Sequence, residues 1–369
     1  MIVPQKIPWS EPEIDTNELK EVLDSFESGW LTMGPKVKKF EEVMADFVGA
    51  PYAVAVTNGT VALDLVLKCM GIRPGDEVIV PALAFYANAS AVSYQYAVPV
   101  FVDVEPVSFN LDPEKVEEAI SPKCKAIIFI DYGGNPADIE GLKAVAEKNN
   151  LLLLQDAAQS LGGTYRGKVM GAQTAISTTS FHMAKVMTTV EGGMIFTHSK
   201  EVAEELRARR NFGQSARYSF SYLGTNGKMT DLNAAIGLAQ IEKLPWMLQQ
   251  RQRVAKRYDA HFKNQDKIEI TQCERPDSTN AYFHYPVMVD SRDTVIARLK
   301  DKGIDTRIIW PMALYEQDLY SKKGGQAYRK MSCSVAEKFT SRVINLPIFA
   351  SLPDNQVDKI ASEVLGALV

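Results

Sequence analysis

Hydrophobic positions along this chain follow two periods, and the two take turns. From about Asp15, Leu19, Val22, Leu23 and Phe26 recur at helical spacing and stop near Gly29. Trp30–Pro35 is a turn-rich connector, and a second helix is predicted over Lys36–Val48 with Gly49 past its end. Before these, residues 1–14 carry Pro4, Pro8 and Pro12 with Trp9, which predicts an extended arm. Tyr52–Val56 then reads as a short strand, Thr57-Asn58-Gly59-Thr60 as a polar turn, and the residues around Val61 and Leu65 as a helix stopped at Gly71. Glu77–Val80, Val98–Val102 and Ala126–Ile130 read as strands, and Ala87–Tyr94 and Ile139–Lys148 as helices. Leu151–Leu154 is wholly apolar, the pattern of a central parallel strand covered on both faces. Two further strands are predicted over Ala175–Phe181 and Met194–Thr197. Strands alternating with helices predict an α/β layer fold with a mostly parallel sheet.

The pattern changes after Arg210. Tyr218–Lys228 is polar and glycine-containing, which predicts a long ordered loop. A capped helix follows from Thr230, with Leu232, Ala235, Ile236 and Ala239 on one face and Pro245 at its end. That proline marks the expected boundary between a large domain over 15–245 and a smaller α+β domain over 246–369. The smaller part shows a strand over Tyr282–Val289, a helix over Thr294–Lys302, an extended piece over Asp305–Trp310 and a last helix. Val357, Ile360, Ala361, Val364, Leu365 and Leu368 form the last helix's apolar stripe.

Composition narrows the function classes. With 369 residues, 46% hydrophobic and 23% charged, the chain is an ordinary globular protein long enough for two lobes. A net charge of -4 gives no reason to expect nucleic acid as a partner. Cys69, Cys124, Cys273 and Cys333 are scattered without paired spacing, which argues for a reducing compartment. No signal-peptide pattern opens the sequence and no apolar run approaches the ~18 residues of a membrane span, so the expected location is the cytoplasm, with no membrane partner. His182, His198, His261 and His284 lack metal-ligand spacing, and no metal is expected. Gly162–Lys168 imitates a P-loop, but Val169 stands where a hydroxyl is needed, so a surface hairpin around Arg166-Gly167-Lys168 is expected. Arg207, Arg209 and Arg210 read as a solvated helix face, or else as an anchor for an anionic substrate.

Candidate chemistry gathers at strand ends, where α/β sheets bind ligands. Lys185 lies in Ser180–Gly193, between two predicted strands, as either a surface lysine in an unusual loop or an amine kept for chemistry. Asp156 and Gln159 follow the leucine run; Asp156 reads as a helix cap or as a functional carboxylate. The Thr57–Thr60 turn is an ordinary Asn-Gly turn with Thr60 as cap, or an anion cradle at a helix N-terminus. One ligand would use all three. Pyridoxal 5'-phosphate (PLP) has a phosphate, a ring nitrogen that works best protonated and an aldehyde that condenses with an amine. A lysine with a free pKa near ~10.4 would need it lowered to act as a base at neutral pH.

The chain resembles the DegT/DnrJ/EryC1/StrS group of sugar aminotransferases over nearly its whole length. The matching segments are Gly29–Pro35, Thr57–Thr60, Asn135–Asp138, Asp156–Gln159, Ser180–Lys185 with Glu191–Gly193, Met229–Ala235, and Leu346-Pro347. The resemblance implies PLP-dependent transferase fold type I, like aspartate aminotransferase. It implies Lys185 as the lysine that binds the cofactor and Asp156 as the partner of the ring nitrogen. Gln159 would meet the ring hydroxyl and Phe85 would stack on the ring. Gly59, Thr60 and Ser180 would hold the phosphate, joined by Asn226 from the partner subunit of a homodimer. It implies transfer of an amino group, usually from L-glutamate, to a keto group of a nucleotide-linked sugar, 4-keto before 3-keto. Aminocyclitol transamination, another PLP activity or a non-catalytic sensor are the alternatives. Asp131-Tyr132-Gly133-Gly134, Lys228 and Tyr315 depart from the common pattern, where many members have His, Arg and His.

Overall fold

The computed structural model describes residues 6–271, 275–321 and 323–368; Pro4 of the arm and Cys273 lie outside them. Two helices open the chain, α1 (Thr16–Ser28) and α2 (Pro35–Val48). Asp15 caps α1 in a reciprocal box with Glu18, and Gly29 ends it at φ 74°. Then come β1 (Tyr52–Val56), α3 (Gly59–Cys69), β2 (Glu77–Pro81), α4 (Tyr86–Tyr94), β3 (Val98–Val102), α5 (Pro113–Ala119), β4 (Cys124–Ile130), α6 (Ile139–Lys148) and β5 (Leu152–Asp156). The hairpin β6 (Thr164–Tyr165) and β7 (Lys168–Val169) occupies the P-loop lookalike and leads to β8 (Ile176–Ser180) and β9 (Gly193–Thr197). After α7 (Lys200–Arg209), the ribbon β10 (Gln214–Ala216) and β11 (Ser219–Phe220) precedes the long helix α8 (Asp231–Phe262). The remainder comprises β12 (Glu269–Ile270), β13 (Tyr285–Met288), α9 (Arg292–Asp301), β14 (Arg329–Lys330), α10 (Ser334–Arg342), β15 (Val343–Leu346) and α11 (Asp354–Ala367).

Eight strands form one sheet in the order β1-β9-β8-β5-β4-β2-β3-β14. Within it β5 is paired in parallel with β4 and β8, while β9 runs antiparallel to both its neighbours. The parallel set puts the carboxyl ends of β4, β5 and β8 on one rim, with Ile130 opposite Asp156 and Asp156 opposite Thr178. A second, antiparallel sheet, β12-β13-β15, packs with α9, α11 and the last part of α8 as a smaller α+β unit. This is the large parallel-sheet architecture of fold type I.

Several expectations need correction. Leu152 is 41% exposed, and of the leucine run only Leu154 is fully buried. The run enters from the amino-terminal rim, so cover on both faces begins only near its end. Pro245 does not end a helix: α8 passes through it. A proline inside a helix costs about 3 kcal/mol, and burial on both sides offsets it, through Ile241 and Leu244 before and Val254, Tyr258 and Phe262 after. The cap of α3 is Asn58, whose side chain accepts from Val61 N, and Thr60 lies inside the first turn. Arg210 is buried rather than solvated: it pairs with Glu41 and donates to the Ala55 carbonyl at 2.6 Å. Asp305–Trp310, expected as an extended piece and not as a strand, stands against β15 through an antiparallel bridge of Arg307 with Asn345 and needs no such correction.

Long-range side-chain bonds tie the amino-terminal helices to α8. The Asp231 carboxylate accepts from the backbone N–H groups of Gly34, Lys36 and Val37 at 2.8, 3.2 and 3.0 Å, so the first residue of α8 caps α2. Gln240 donates to Glu18 and to the Glu13 carbonyl, both at 2.6 Å, while its oxygen accepts from Thr188 N at 3.2 Å. The loop bearing Lys185 is thus anchored to α8, and α8 to α1.

Candidate active site

The chain between β8 and β9 must reverse direction, because those strands are antiparallel neighbours. It does so in a tightly bonded loop. Phe181 N donates to Gly192 O at 2.8 Å, Thr189 N to Phe181 O at 2.9 Å, and Lys185 N to His182 O at 2.8 Å. Thr188 and Thr189 use their hydroxyls inside this loop, on Phe181 O and Glu191 O. The hydroxyls flanking Lys185 therefore shape the loop, and the amine is left to face the crevice.

Lys185 lines a small cavity with Ala158, Gln159, Leu161, Ser180, Val186 and Met187. Its Nζ stands 4.5 Å from the centre of the Phe283 ring. Burial lowers its pKa to about 8, and the Asp156 carboxylate opposes that shift. Asp156 ends β5, is 9% exposed, and has its pKa raised by burial, with Lys185, Ala158 N and Asn88 pulling the other way. Its Oδ1 accepts from Ala158 N and its Oδ2 from Asn88 Nδ2, each at 3.0 Å. Gln159 uses its oxygen to accept from Gly133 N at 2.8 Å, which leaves its amide nitrogen for another partner.

Ser180 ends β8 and touches the Thr57–Thr60 turn. A Cβ added at Gly59 would lie 3.0 Å from Ser180 Cβ and 3.5 Å from its Oγ. Gly193, at the start of β9, comes closer still: a Cβ there would be 2.5 Å from the Asn58 carbonyl carbon and 2.7 Å from Gly59 N. Only glycine lets β9 pass this turn. Gly59 and Thr60 begin α3, where N–H groups and the positive helix end favour an anion. Phe85 precedes α4 and is 59% exposed, an aromatic face open to a ligand. Asn226 stands apart from the others: it is exposed, with its backbone bridged to Asn211. The structure thus brings Lys185, Gln159 and Ser180 to one cavity, with Asp156 close enough to Lys185 to act on its charge and Gly59 against Ser180, while Asn226 is exposed.

His182 is neither a core histidine nor a partner of the amine. Its ring is about half-exposed, Nδ1 accepts from Ala184 N at 3.2 Å, and Nε2 lies 3.7 Å from Glu191. Sequence reasoning missed Asn88, Phe283 and His284. Asn88 could have been found as the one amide in the small-residue run from Tyr86 to Ala91, one turn past Phe85. Phe283 and His284 arrive from the smaller unit and carry no local signal. His284 is buried against Phe283, with ring centres 4.1 Å apart, and burial pushes its pKa well down, helped by Lys185 and Arg251. Asp131, one residue past the strand position opposite Asp156, is fully buried and accepts from Ser160 Oγ at 2.6 Å, Gln155 Nε2 at 2.8 Å and Ala137 N at 3.0 Å. Desolvation pushes its pKa up to about 6, with Asp156 adding to the rise. Among the described residues, no group of three or more His, Cys, Asp or Glu is placed to hold a metal.

These residues fit PLP. Gly59 lies tight against Ser180 and Gly193 leaves no room for a side chain beside the Asn58-Gly59 turn, the Asp156 carboxylate is buried with donors on both oxygens, and burial lowers the pKa of the amine. The DegT/DnrJ/EryC1/StrS aminotransferase family model matches residues 12–365. The chain is similar to the GDP-perosamine synthase of Caulobacter vibrioides, 35% identical over 99% of both chains. It is also similar to the UDP-2-acetamido-2-deoxy-3-oxo-D-glucuronate aminotransferase of Pseudomonas aeruginosa, 36% identical over 87% of each. Among solved structures, the PLP form of the putative sugar aminotransferase Spr1654 from Streptococcus pneumoniae superposes with a TM-score of 0.91 at 29% identity, covering 99% of this chain and 100% of that one. Fold, crevice and relatives agree, and the chain belongs to the DegT/DnrJ/EryC1/StrS family as a PLP-dependent sugar aminotransferase.

Proposed function

We propose that this enzyme moves an amino group from L-glutamate to the keto group of a nucleotide-linked sugar, at C4 in preference to C3, in the cytoplasm. The observation that carries the reading is the meeting of a depressed-pKa amine, a buried carboxylate and a helix N-terminus in one crevice. The two relatives named above handle GDP- and UDP-linked sugars, which supports the substrate class. When bound, PLP supplies an aldehyde for amine exchange and a ring that takes up the electron pair freed at the substrate carbon. The chain's own residues do the rest. Lys185 Nζ, near pKa 8, is available both as nucleophile and as the group that carries a proton to and from the substrate carbon. Asp156 would keep the ring nitrogen protonated, Gln159 would offer its amide N–H to the ring hydroxyl, and Phe85 would stack on the ring. Gly59, Thr60 and Ser180 would hold the phosphate. The boundary between the two parts, proposed at 245/246, falls inside the continuous helix α8, and Phe283 and His284 of the second part would wall the site.

A homodimer is part of the proposal. In α1 the residues at helical spacing face outward: Leu19, Leu23 and Phe26 are 61%, 60% and 57% exposed, and the buried positions are Glu18 and Ser25. An apolar stripe of this size, next to exposed Trp30 and Leu31, suits a second copy of the chain. That copy would bring its Asn226 to the phosphate. Leu23→Asp should yield a folded monomer with at least about tenfold weaker PLP affinity, read by sedimentation and by titration of the visible band. A monomeric wild type with full activity overturns the dimer. For the reaction itself, nucleotide-linked 3-keto and 4-keto sugars are incubated with glutamate and weighed by mass spectrometry. A one-amine product from the 4-keto substrate is expected; no aminated product from any keto sugar would sink the proposal.

A further inference from the structure

Asn88 is fully buried in the first turn of α4, one turn beyond Phe85. Its Nδ2 donates to Asp156 Oδ2 at 3.0 Å and makes a longer contact, 3.4 Å, with the Phe85 carbonyl. The same carbonyl accepts from Asn88 N at 3.1 Å. One amide group therefore connects the end of β5 to the residue that precedes α4. Its own oxygen, Oδ1, is buried with no partner among the described residues.

The orientation of this amide follows from its neighbours. Turned over, it would set Oδ1 against a carboxylate oxygen, acceptor against acceptor, so the Asp156 charge fixes the amide. A polar group retained in the interior with one end unsatisfied is costly, and an apolar residue of similar volume would pack there without that cost. The amide must be kept for its donor. Asp156 has two donors, and they differ in kind. Ala158 N–H is two residues away on the same chain segment and follows Asp156 wherever it goes. Among the described residues, Asn88 is the one that donates to the carboxylate from another element. Held at Oδ1 alone, the carboxylate could pivot; held at both oxygens, its plane is set. Both bonds also favour the ionised form against the burial that opposes it.

We propose that Asn88 is a positioning residue for the cofactor: it sets the plane and charge of the Asp156 carboxylate and ties Phe85 to it, so that the acid facing the ring nitrogen and the aromatic covering the ring are spaced by one side chain. This rests on the assignment of Asp156 and Phe85 to PLP. Removing the donor should weaken PLP binding about 10- to 100-fold, the range of one hydrogen bond to a charged group.

The test is a double-mutant cycle on the full-length enzyme with PLP as probe. Asn88→Leu, Asp156→Asn and the double variant are compared for PLP dissociation constant, for the wavelength of the bound-cofactor band, and for the Tm of the apoprotein. Asn88→Ala serves as a second variant, smaller where leucine is misshapen. The expected result is a 10- to 100-fold loss of affinity and a shifted band in both Asn88 variants, little change in apoprotein Tm, and no further loss when Asp156 is already Asn. An unchanged dissociation constant in the Asn88 variants, or an undiminished Asn88 effect in the Asp156→Asn background, overturns the proposal alone. If Asp156→Asn binds PLP as tightly as wild type, the assignment of Asp156 falls, and the role of Asn88 falls with it.

Discussion

The inner wall of the crevice, around Asp156, and the core of the smaller unit are both buried but are built from contrasting materials. Around α11, Tyr258, Phe262, Tyr285, Val287, Ile344, Leu346 and Ile360 are at most 1% exposed, and both buried tyrosine hydroxyls there are satisfied, on Pro347 O at 3.0 Å and Asp259 at 2.6 Å. Around Asp156, the buried residues include Asn88, Asp131, Gln155, Thr178 and Tyr132, and several polar atoms lack a partner among the described residues: Asn88 Oδ1, Gln155 Oε1, Thr178 Oγ1 and Tyr132 OH. Each such atom costs roughly 1–3 kcal/mol of desolvation. The first region is explained mainly by packing, with Asn345 Oδ1 on β15 its exception among the described residues. The second is explained only by something it binds or a proton it moves. Polar burial that packing would not choose is how this protein marks its site.

The largest separation of the two regions should come from Lys185→Met. Turnover should fall by more than about 10³-fold, because both the nucleophile and the proton carrier are lost, and the visible band of the lysine-bound cofactor should vanish. Stability should move the other way. The folded pKa of about 8 lies below the unfolded value. A lysine lowered in this way charges at a penalty below pH 8, and the penalty is relieved as pH rises toward ~10.4. The apoprotein of the variant should therefore be more stable at pH 7 by about 1–3 kcal/mol, with the gap closing by about pH 10.5. Urea titrations at the two pH values check this. Equal stability at pH 7 would mean the amine is not desolvated.

Ile360→Ala makes the converse cut. Ile360 is fully buried on the α11 stripe, so the loss should be about 2–5 kcal/mol from lost transfer and the cavity left behind. PLP affinity of the folded fraction should be unchanged, measured well below the unfolding transition. A large affinity loss with a small stability loss would erase the distinction between the two regions.

These two regions were also unequally legible in sequence. The α11 stripe and the alternation of strands and helices are periodic, and periodicity survives without knowledge of the tertiary fold. The identical argument failed to say where α1 points, because a stripe shows that a face is apolar and not what covers it; Leu19, Leu23 and Phe26 face outward. Pro245 misled because local propensity was overridden by burial along both halves of α8. In the site, Lys185, Asp156 and the Asn58-Gly59 turn were visible as odd residues at strand ends. Phe283 was not, since only the tertiary fold brings this residue, 98 positions away, under Lys185. Asn88 shows the limit in between: its position was readable as unusual, and its partner, 68 residues away, was not.

The smallest effect, and the finest test of the contrast, lies at Asp131. This carboxylate is fully buried near Asp156, with three donors and no cation among its causes of shift. Its folded pKa, pushed up to about 6, exceeds the usual 3.8. Between those values the folded state holds a proton that the unfolded state has released, so stability is highest below about pH 4 and declines as pH rises toward 6. A two-unit shift corresponds to at most about 3 kcal/mol across that window, less the share carried by neighbouring groups. An asparagine at this position would not titrate, so Asp131→Asn should flatten this part of the curve, and the variant should gain on wild type between about pH 4 and 6.5. Some of that gain is forfeited to geometry, because the new amide NH2 must face donors such as Gln155 Nε2 that now serve the carboxylate. Apoprotein stability measured at half-unit pH steps separates the two: the geometric loss is constant with pH, and the ionisation term is the slope. Parallel curves for the two proteins would show that the Asp131 carboxylate is ionised at no cost, and that the crevice is wetter than its burial implies.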